Sequence, residues 1–279
     1  MRDSASAQTE HESPPVETEL VVLDAHERKA AVLWLNRPEA LNAISWDAMR
    51  CLAAALETAE QDRSVRAVLI IGRGRGFSAG GDIKAYKALQ ADAPAFTAFV
   101  NDYCRLTEGI AEMSKPVIAL VNGICAAGGL ELLLACDFAW AAESARIGDM
   151  HVNFAQIGGA GAMARLPRLI GSARALELVF SGEMLDSRLA LQWGIVNRVI
   201  PDGALLEEGL RFARSLAAKS PTAIQFVKQS IRRGLDRDLP GALQLERDQC
   251  LRYCLTLPDS MEGINAFIEK RPPVYGDGR

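Results

Sequence analysis

The chain has 279 residues, 49% apolar and 24% charged, the composition of an ordinary globular protein with room for one large domain or two small ones. A net charge of −4 with scattered basic residues gives no electrostatic basis for nucleic acid or an anionic membrane as partner. No apolar run approaches the roughly 20 residues that cross a bilayer, and no C-x-x-C or Cys/His spacing marks a metal site.

Residues 1–18 are polar and acidic, with Pro14 and Pro15 near their end. They lack the basic start and apolar run of a signal peptide and the arginines of a transit peptide. The segment reads as a disordered tail on a cytoplasmic protein. Two short apolar runs, Leu20–Leu23 and Ala31–Leu35, flank a polar stretch and predict a β-hairpin. After Ser45, a good N-cap, the spacing of Met49, Leu52, Ala53 and Leu56 predicts a helix over residues 46–60.

Ala67–Ile71 is a compact apolar run and reads as a buried strand, followed by a glycine-rich stretch from Gly72 to Gly81. Residues 92–113 read as helix, and Pro116–Val121 as another buried strand. Gly129–Ala135 reads as a short buried helix and Phe138–Ala141 as a further strand. From Gly161 onward the pattern is helical, over residues 161–170, 172–180, 187–193, 203–219, 221–233, 239–256 and 259–270, with one strand near Ile195–Ile200. Strands alternating with helices predict an α/β class with a mostly parallel core. The expected division is a tail over 1–18, an α/β core over 19–200 and a helical C-terminal region over 201–279. The six cysteines, at 51, 104, 125, 136, 250 and 254, are expected to be reduced thiols packed mostly in the interior.

Two glycine turns carry the chemical signal. Gly72–Asp82 (GRGRGFSAGGD) ends a strand in a loop that can expose free N–H groups to an anion or a carbonyl oxygen. Gly74-x-Gly76-x-x-Ala79 also matches a dinucleotide fingerprint literally. That fingerprint needs a helix directly after it and a second strand about 20 residues on. The next strand here starts only at Pro116, so a nucleotide site does not fit. The second turn, Cys125-Ala-Ala-Gly-Gly-Leu-Glu131, places the Gly128 N–H at or near a helix N-terminus, where donors are unpaired and negative charge is favoured. Glu131 falls in the first turn of that apolar helix. Its plain reading is a carboxylate stabilising the helix end.

Six segments together resemble the crotonase superfamily, the enoyl-CoA hydratases and isomerases. They are Leu35–Ala43 (LNRPEALNA), Phe77–Lys84 (FSAGGDIK), Lys115–Gly123 (KPVIALVNG), Gly128–Glu131 (GGLE), Gly194–Pro201 (GIVNRVIP) and Ala266–Arg271 (AFIEKR), in the family order. The resemblance implies a stacked ββα superhelix core with a C-terminal helical trimerisation region, assembled as a homotrimer or hexamer. It implies an acyl-CoA substrate and no cofactor or metal, coenzyme A being part of the substrate. The thioester oxygen would lie between the N–H groups of Gly81 and Gly128, which would stabilise the enolate. By the same matching, Ala79, Gly81, Asp82 and Ile83 fall in the coenzyme A region. Lys84 would approach the phosphates, and Phe267 and Lys270 would contact the cofactor moiety, sometimes across a subunit boundary. Residue 39, often basic in relatives, is Glu39 here, and Arg37 is the candidate to compensate.

Family hydratases use two glutamates to hold and activate water. Glu131 matches the first. The stretch that carries the second is Ile147-Gly-Asp-Met-His151, so the second acid is His151. A histidine titrates near neutrality and can serve as acid or base, with Asp149 either orienting it or acting as an ordinary loop acid. Loss of the second acid argues against a standard isomerase. The implied activity is hydration of a 2-enoyl-CoA, the alternative being a thioester hydrolase or a carbon–carbon bond cleaving relative that uses Glu131 and His151. The next loop, Phe154–Gly161, has Gly158 where relatives have proline. A non-enzymatic RNA binder of this family would need a lysine-rich helix, and the helix after Ser45 carries only Arg50 against Asp47, Glu57 and Glu60.

Overall fold

The structure, a computed structural model, describes residues 13–276. The expected hairpin is β1 (Val16–Val22) paired antiparallel with β2 (Lys29–Leu35). Asp24 closes its turn, accepting from the His26 N–H at 2.9 Å and pairing with the Arg28 guanidinium. The strand begins inside the expected tail. Val16 is buried, and Glu17 accepts from Asn36 at 3.0 Å and Arg73 at 2.9 Å, so residues 16–18 are sheet. The remainder of the tail reading, residues 1–12, lies outside the described residues.

α1 (Trp46–Gln61) starts at Ser45, whose Oγ accepts from the Ala48 N–H at 3.1 Å. It buries Met49, Leu52 and Leu56 as expected, but Ala48 and Ala59 complete the apolar face while Ala53 is exposed. Three β–β–α units follow. The first is β3 (Val65–Gly72) and β4 (Gly76–Ser78) with α2 (Ile83–Gln90) and α3 (Ala93–Glu112). The second is β5 (Val117–Val121) and β6 (Ile124–Ala126) with α4 (Gly128–Ala135). The third is β7 (Phe138–Ala142) and β8 (Arg146–Gly148), a 3-10 turn His151–Phe154, then α5 (Ala162–Ile170) and α6 (Ser172–Ser181). β9 (Leu185–Asp186), α7 (Ser187–Trp193) and β10 (Arg198–Ile200) complete the layers.

Each unit contributes its long strand to one sheet, turns a corner, and contributes its short strand to another. The sheets have the orders β1-β2-β3-β5-β7-β10 and β4-β6-β8-β9, with β3, β5 and β7 parallel, as are β4, β6 and β8. The stacked ββα core is therefore present. The second sheet is absent from the sequence reading because strands of two or three residues carry no periodicity. Its corners are tight: a β-carbon on Gly123 would lie 2.1 Å from the Arg75 carbonyl oxygen. Asn122 ties neighbouring corners together, accepting from the Gly72 N–H at 3.0 Å and donating to the Gly74 carbonyl at 3.0 Å.

The long strands are apolar throughout because both faces of their sheet are covered. Val68 and Ile70 face the helices α1, α3 and α4; Leu69 and Ile71, one residue out of phase, face the other side. That second face is closed by α8 (Leu205–Ala217), whose Leu205, Ala213 and Ala217 are buried on it. The boundary expected at 200/201 thus cuts off a helix that belongs to the core. α9 (Pro221–Gly234), α10 (Leu239–Thr256) and α11 (Pro258–Ile268) form the helical C-terminal region proper. α10 has no buried residue, so Cys250 and Cys254 are exposed, against the expectation for the thiols; Cys125 and Cys136 are buried. No helix is long and apolar enough to cross a membrane among the described residues.

α9 is anchored to the core by charge. Asp137 takes the Lys228 ammonium at 2.9 Å on one oxygen and the Arg232 guanidinium at 2.9 Å on the other. Lys228 and Arg232 side chains are only 9% and 27% exposed, so removing the carboxylate leaves partly desolvated cations with backbone carbonyls but no counter-charge. Asp137→Ala is expected to cost about 2–4 kcal/mol, measured by urea denaturation. A cost below about 0.5 kcal/mol, the scale of an exposed pair, would show that the cluster does not anchor the helix.

Candidate active site

β4 ends at Ser78 and the chain continues through Ala79 and Gly80 to Gly81, where a parallel bridge with Ile44 sets the backbone direction. Ile44 donates to the Gly80 carbonyl at 2.7 Å and accepts from the Asp82 N–H at 3.3 Å. The groups flanking Gly81 are thereby used on one side, and its own N–H points to the other. There it meets α4. A β-carbon placed on Gly128 would sit 3.5 Å from the Gly81 nitrogen. Among the described residues, neither the Gly81 nor the Gly128 N–H donates to a protein acceptor.

The residue before Gly128 is strained to make this possible. Ala127 has φ +49° and ψ −117°, a region that a side chain rarely occupies. Its N–H is held by the Gly148 carbonyl at 3.1 Å, and the buried Tyr103 hydroxyl donates to the Gly128 carbonyl. Two donors at a helix start, one of them on the N-terminal turn of α4, form a site for an oxygen that gains negative charge.

Glu131 lies one turn along α4 and is 2% exposed. Its Oε1 accepts from Ala160 N–H at 2.7 Å and from Ala162 N–H at 3.3 Å. The carboxylate thus serves the start of α5 across the site, rather than the end of its own helix as the plain reading has it. Burial raises the Glu131 carboxyl above its ordinary value and the Asp149 charge adds to this, against the two amides and the His151 charge.

His151 opens the 3-10 turn after β8, with Met150 in the left-handed region swinging the chain round. Its Nδ1 is 3.0 Å from Oδ1 of Asp149, which is fully buried. Burial favours the neutral ring, but the hydrogen bond and charge of Asp149, with the Glu131 charge, outweigh it and hold the pKa above the ordinary histidine value. Gly158 shows that the two groups share a space. A β-carbon there would stand 2.9 Å from Glu131 Oε1 and 3.3 Å from His151 Cε1.

Ala79, Asp82, Ile83 and Lys84 follow one another along the rim beside Gly81. Lys84 is exposed and Ile83 is 60% exposed. Arg37 is not free to compensate for Glu39: it pairs with Asp82 at 3.0 Å and donates to the Ala43 carbonyl at 2.8 Å. This pairing keeps the Asp82 carboxyl below its ordinary value despite burial. Phe267 and Lys270 are both exposed near the end of α11, which packs against α9 and α10. Sequence reading missed Ala127, Tyr103 and the amides of Ala160 and Ala162. Three of these act through backbone groups and Tyr103 lies mid-helix, so none has a residue-type signal. Among the described residues no group of three or more His, Cys, Asp or Glu is placed to hold a metal ion.

Known proteins resemble this chain over most of its length. The family model described as enoyl-CoA hydratase/isomerase matches residues 26–278. A probable enoyl-CoA hydratase of Rhizobium meliloti is 36% identical over 247 residues, covering 88% of this chain and 94% of that protein. A crotonyl-CoA hydratase of Syntrophomonas wolfei is 35% identical over 255 residues, covering 91% and 96%. The crystal structure of an enoyl-CoA hydratase from Bacillus anthracis superposes with a TM-score of 0.86 at 33% identity, covering 94% of this chain and 98% of that one.

Because Oε1 is held by two amides, a new methyl group at Gly158 is accommodated only by pushing the Glu131 carboxylate away from them. Gly158→Ala is expected to leave the thermal midpoint within a few degrees while cutting kcat/KM by about 10²-fold, the cost of displacing a reacting group by roughly 1 Å. An unchanged kcat/KM on any substrate of the enzyme would contradict the shared space.

Proposed function

The chain belongs to the enoyl-CoA hydratase/isomerase family, and from that premise we propose that it hydrates a 2-enoyl-CoA thioester. The observation that carries the reading is the convergence of two unpaired backbone N–H groups with a buried carboxylate and an imidazole around one space. In this reading the thioester oxygen accepts from Gly81 and Gly128. Preorganised donors in a dry site stabilise the enolate oxygen without reorganising, and loss of one such donor costs about 10²-fold or more. Glu131 takes a proton from water as the water oxygen bonds to Cβ. The π electrons move onto the thioester oxygen, and His151, as imidazolium, returns a proton to Cα.

Coenzyme A enters as the carrier part of the substrate, and the steps above use only backbone donors, Glu131 and His151. Ala79, Gly81, Asp82 and Ile83 border the coenzyme A path, with Lys84 at the phosphates. Arg37 we assign to bracing the Gly81 loop through Asp82. Phe267 and Lys270 would reach the coenzyme A of a neighbouring subunit, since α11 packs on α9 and α10 in its own chain. The C-terminal region is then the assembly region of a cytoplasmic homotrimer or hexamer. What supports this is the row of exposed Val227 and Ile231 on α9 and Leu235 just after it, with Leu251 and Leu255 on α10.

Incubation with crotonyl-CoA or a bulkier 2-enoyl-CoA, with product mass analysis, tests the reaction. The expected product carries one added water, and Glu131→Gln is expected to lower kcat by about 10²–10⁴-fold. Free coenzyme A from a saturated acyl-CoA, with no hydrated product, would replace hydration by thioester hydrolysis. The pH profile follows from the two shifted groups. Glu131 must be ionised and is raised, so the acid limb of kcat/KM is expected above the ordinary glutamate value. His151 must be protonated and is also raised, so the basic limb is expected above the ordinary histidine value. Light scattering is expected to give three or six times the chain mass, and Ile231→Asp to lower it; a monomeric wild type would remove the assembly reading.

A further inference from the structure

We propose that Asp149 is the positioning residue that makes His151 a proton donor, by taking the Nδ1–H and so leaving the Nε2–H for the substrate. The inference rests on the hydration reading for its chemistry, but its geometry stands on the protein alone. Asp149 Oδ1 accepts from the His151 backbone N–H at 3.2 Å and faces the ring Nδ1 at 3.0 Å. The first contact is what any acid two residues before a turn can make. The second is not. It locks the ring at the same oxygen that holds its backbone, and removes the freedom of the imidazole to flip.

An acid kept only for the turn would have both oxygens satisfied or exposed. Asp149 is 0% exposed, and its Oδ2 is buried with no hydrogen-bond partner among the described residues. A buried, half-satisfied carboxylate is costly unless a cation stands against it. The cation the geometry offers is His151 itself. The other charges around the ring do not substitute for it. From α4 the facing group is Glu131, another acid. From α5, Arg165 is turned to the Ala160 carbonyl at 2.8 Å. On α6, Arg174 and Glu177 are exposed, and Arg174 lies over Trp193. The ring therefore sits between two carboxyl groups, one at Nδ1 and one across the space that Gly158 keeps open.

This arrangement divides the roles that two glutamates would otherwise share. Nδ1 is committed to Asp149 in both charge states, so proton exchange occurs only at Nε2. On hydration the Nε2–H bond breaks as the Cα–H bond forms, and His151 becomes the neutral Nδ1–H tautomer. Glu131 holds the proton taken from water, and that proton returns to Nε2 through solvent. One water is consumed and the enzyme is restored. A histidine in the second acid position thus comes with a partner two residues earlier, and the pair is the functional unit.

The test uses the full chain without substrate. Its three histidines, His11, His26 and His151, give three ring signals after ¹³C,¹⁵N-histidine labelling, and His151→Gln assigns the third. The wild type is expected to show His151 as Nδ1–H when neutral, with its midpoint above the ordinary histidine value. Asp149→Asn keeps the acceptor oxygen but removes the charge, and is expected to move that midpoint down by about one to three pH units. The basic limb of kcat/KM should move with it, a change that loss of a turn contact alone would not produce. A wild-type midpoint at or below the ordinary value, an Nε2–H tautomer, or an unmoved midpoint in Asp149→Asn would each overturn the proposal. Should Asp149→Asn fail to fold, the wild-type tautomer and midpoint still decide. If the ring behaves as expected but no 2-enoyl-CoA is hydrated, the clamp stands and the hydration reading falls.

Discussion

A β-carbon on Gly129 would lie 2.3 Å from the Ser78 carbonyl oxygen, and one on Gly80 would lie 2.9 Å from the Gly128 nitrogen. The turn after β4 and the turn after β6 are thus pressed together at a distance only glycine backbones reach. Everything chemical in the site depends on that contact. Backbone donors cannot be re-aimed by a rotamer change, so their direction is set by the elements that hold them. Here those elements are adjacent strands of the second sheet, and the Ile44 bridge and the strained Ala127 backbone supply the final orientation. The strain at Ala127 is of order 1–3 kcal/mol and is tolerated because the Gly148 carbonyl and Tyr103 hydroxyl hold either side of the turn.

Around those donors the charged groups are few and buried, which makes each one consequential. Glu131 connects α4 to the start of α5 through two amides, so the carboxylate proposed as the base is also a structural link between two units. Burial, with the Asp149 charge, raises the glutamate against the pull of His151, while the hydrogen bond and charge of Asp149, with the Glu131 charge, hold the histidine above its ordinary value. Gly158 is the complement of that cluster. By lacking a side chain it leaves open the space that Glu131 and His151 face, where water and the acyl chain would have to meet.

The C-terminal half follows a different physical logic. A sheet apolar on both faces requires a cover on both, and α8 supplies the second. Beyond it, α9 is tied down by Asp137 and otherwise presents Val227 and Ile231 to solvent, with Leu235 just after it. α10, packed beside it, exposes Leu251 and Leu255, and these apolar side chains support the proposed assembly region. Phe267 and Lys270 are exposed near the end of α11.

The long strands and most helices were legible from residue pattern alone, because a strand buried on both faces is an apolar run and an amphipathic helix repeats at 3.6. The helix boundaries at 172, 187 and 239 and the hairpin agree with the structure to within a few residues. The short strands β4, β6, β8 and β9 were not legible: two or three residues have no period, and their pairing is long-range. Ala53 was misplaced because small residues carry little facial signal. The tail boundary was misplaced because Glu17 and Thr18 look solvated, although their backbone pairs with Trp34 and Leu33. By itself the sequence determined the α/β class, both glycine turns, Glu131, and the replacement of a second glutamate by His151, since these are matters of residue type and local order. Only the tertiary structure decided that the Gly81 nitrogen lies against the start of α4 at Gly128, that Glu131 bonds across to α5, that Arg37 pairs with Asp82, and that Asp149 contacts the His151 ring. Those facts are distances between segments far apart in the chain or rotamers set by burial, and no local pattern encodes them.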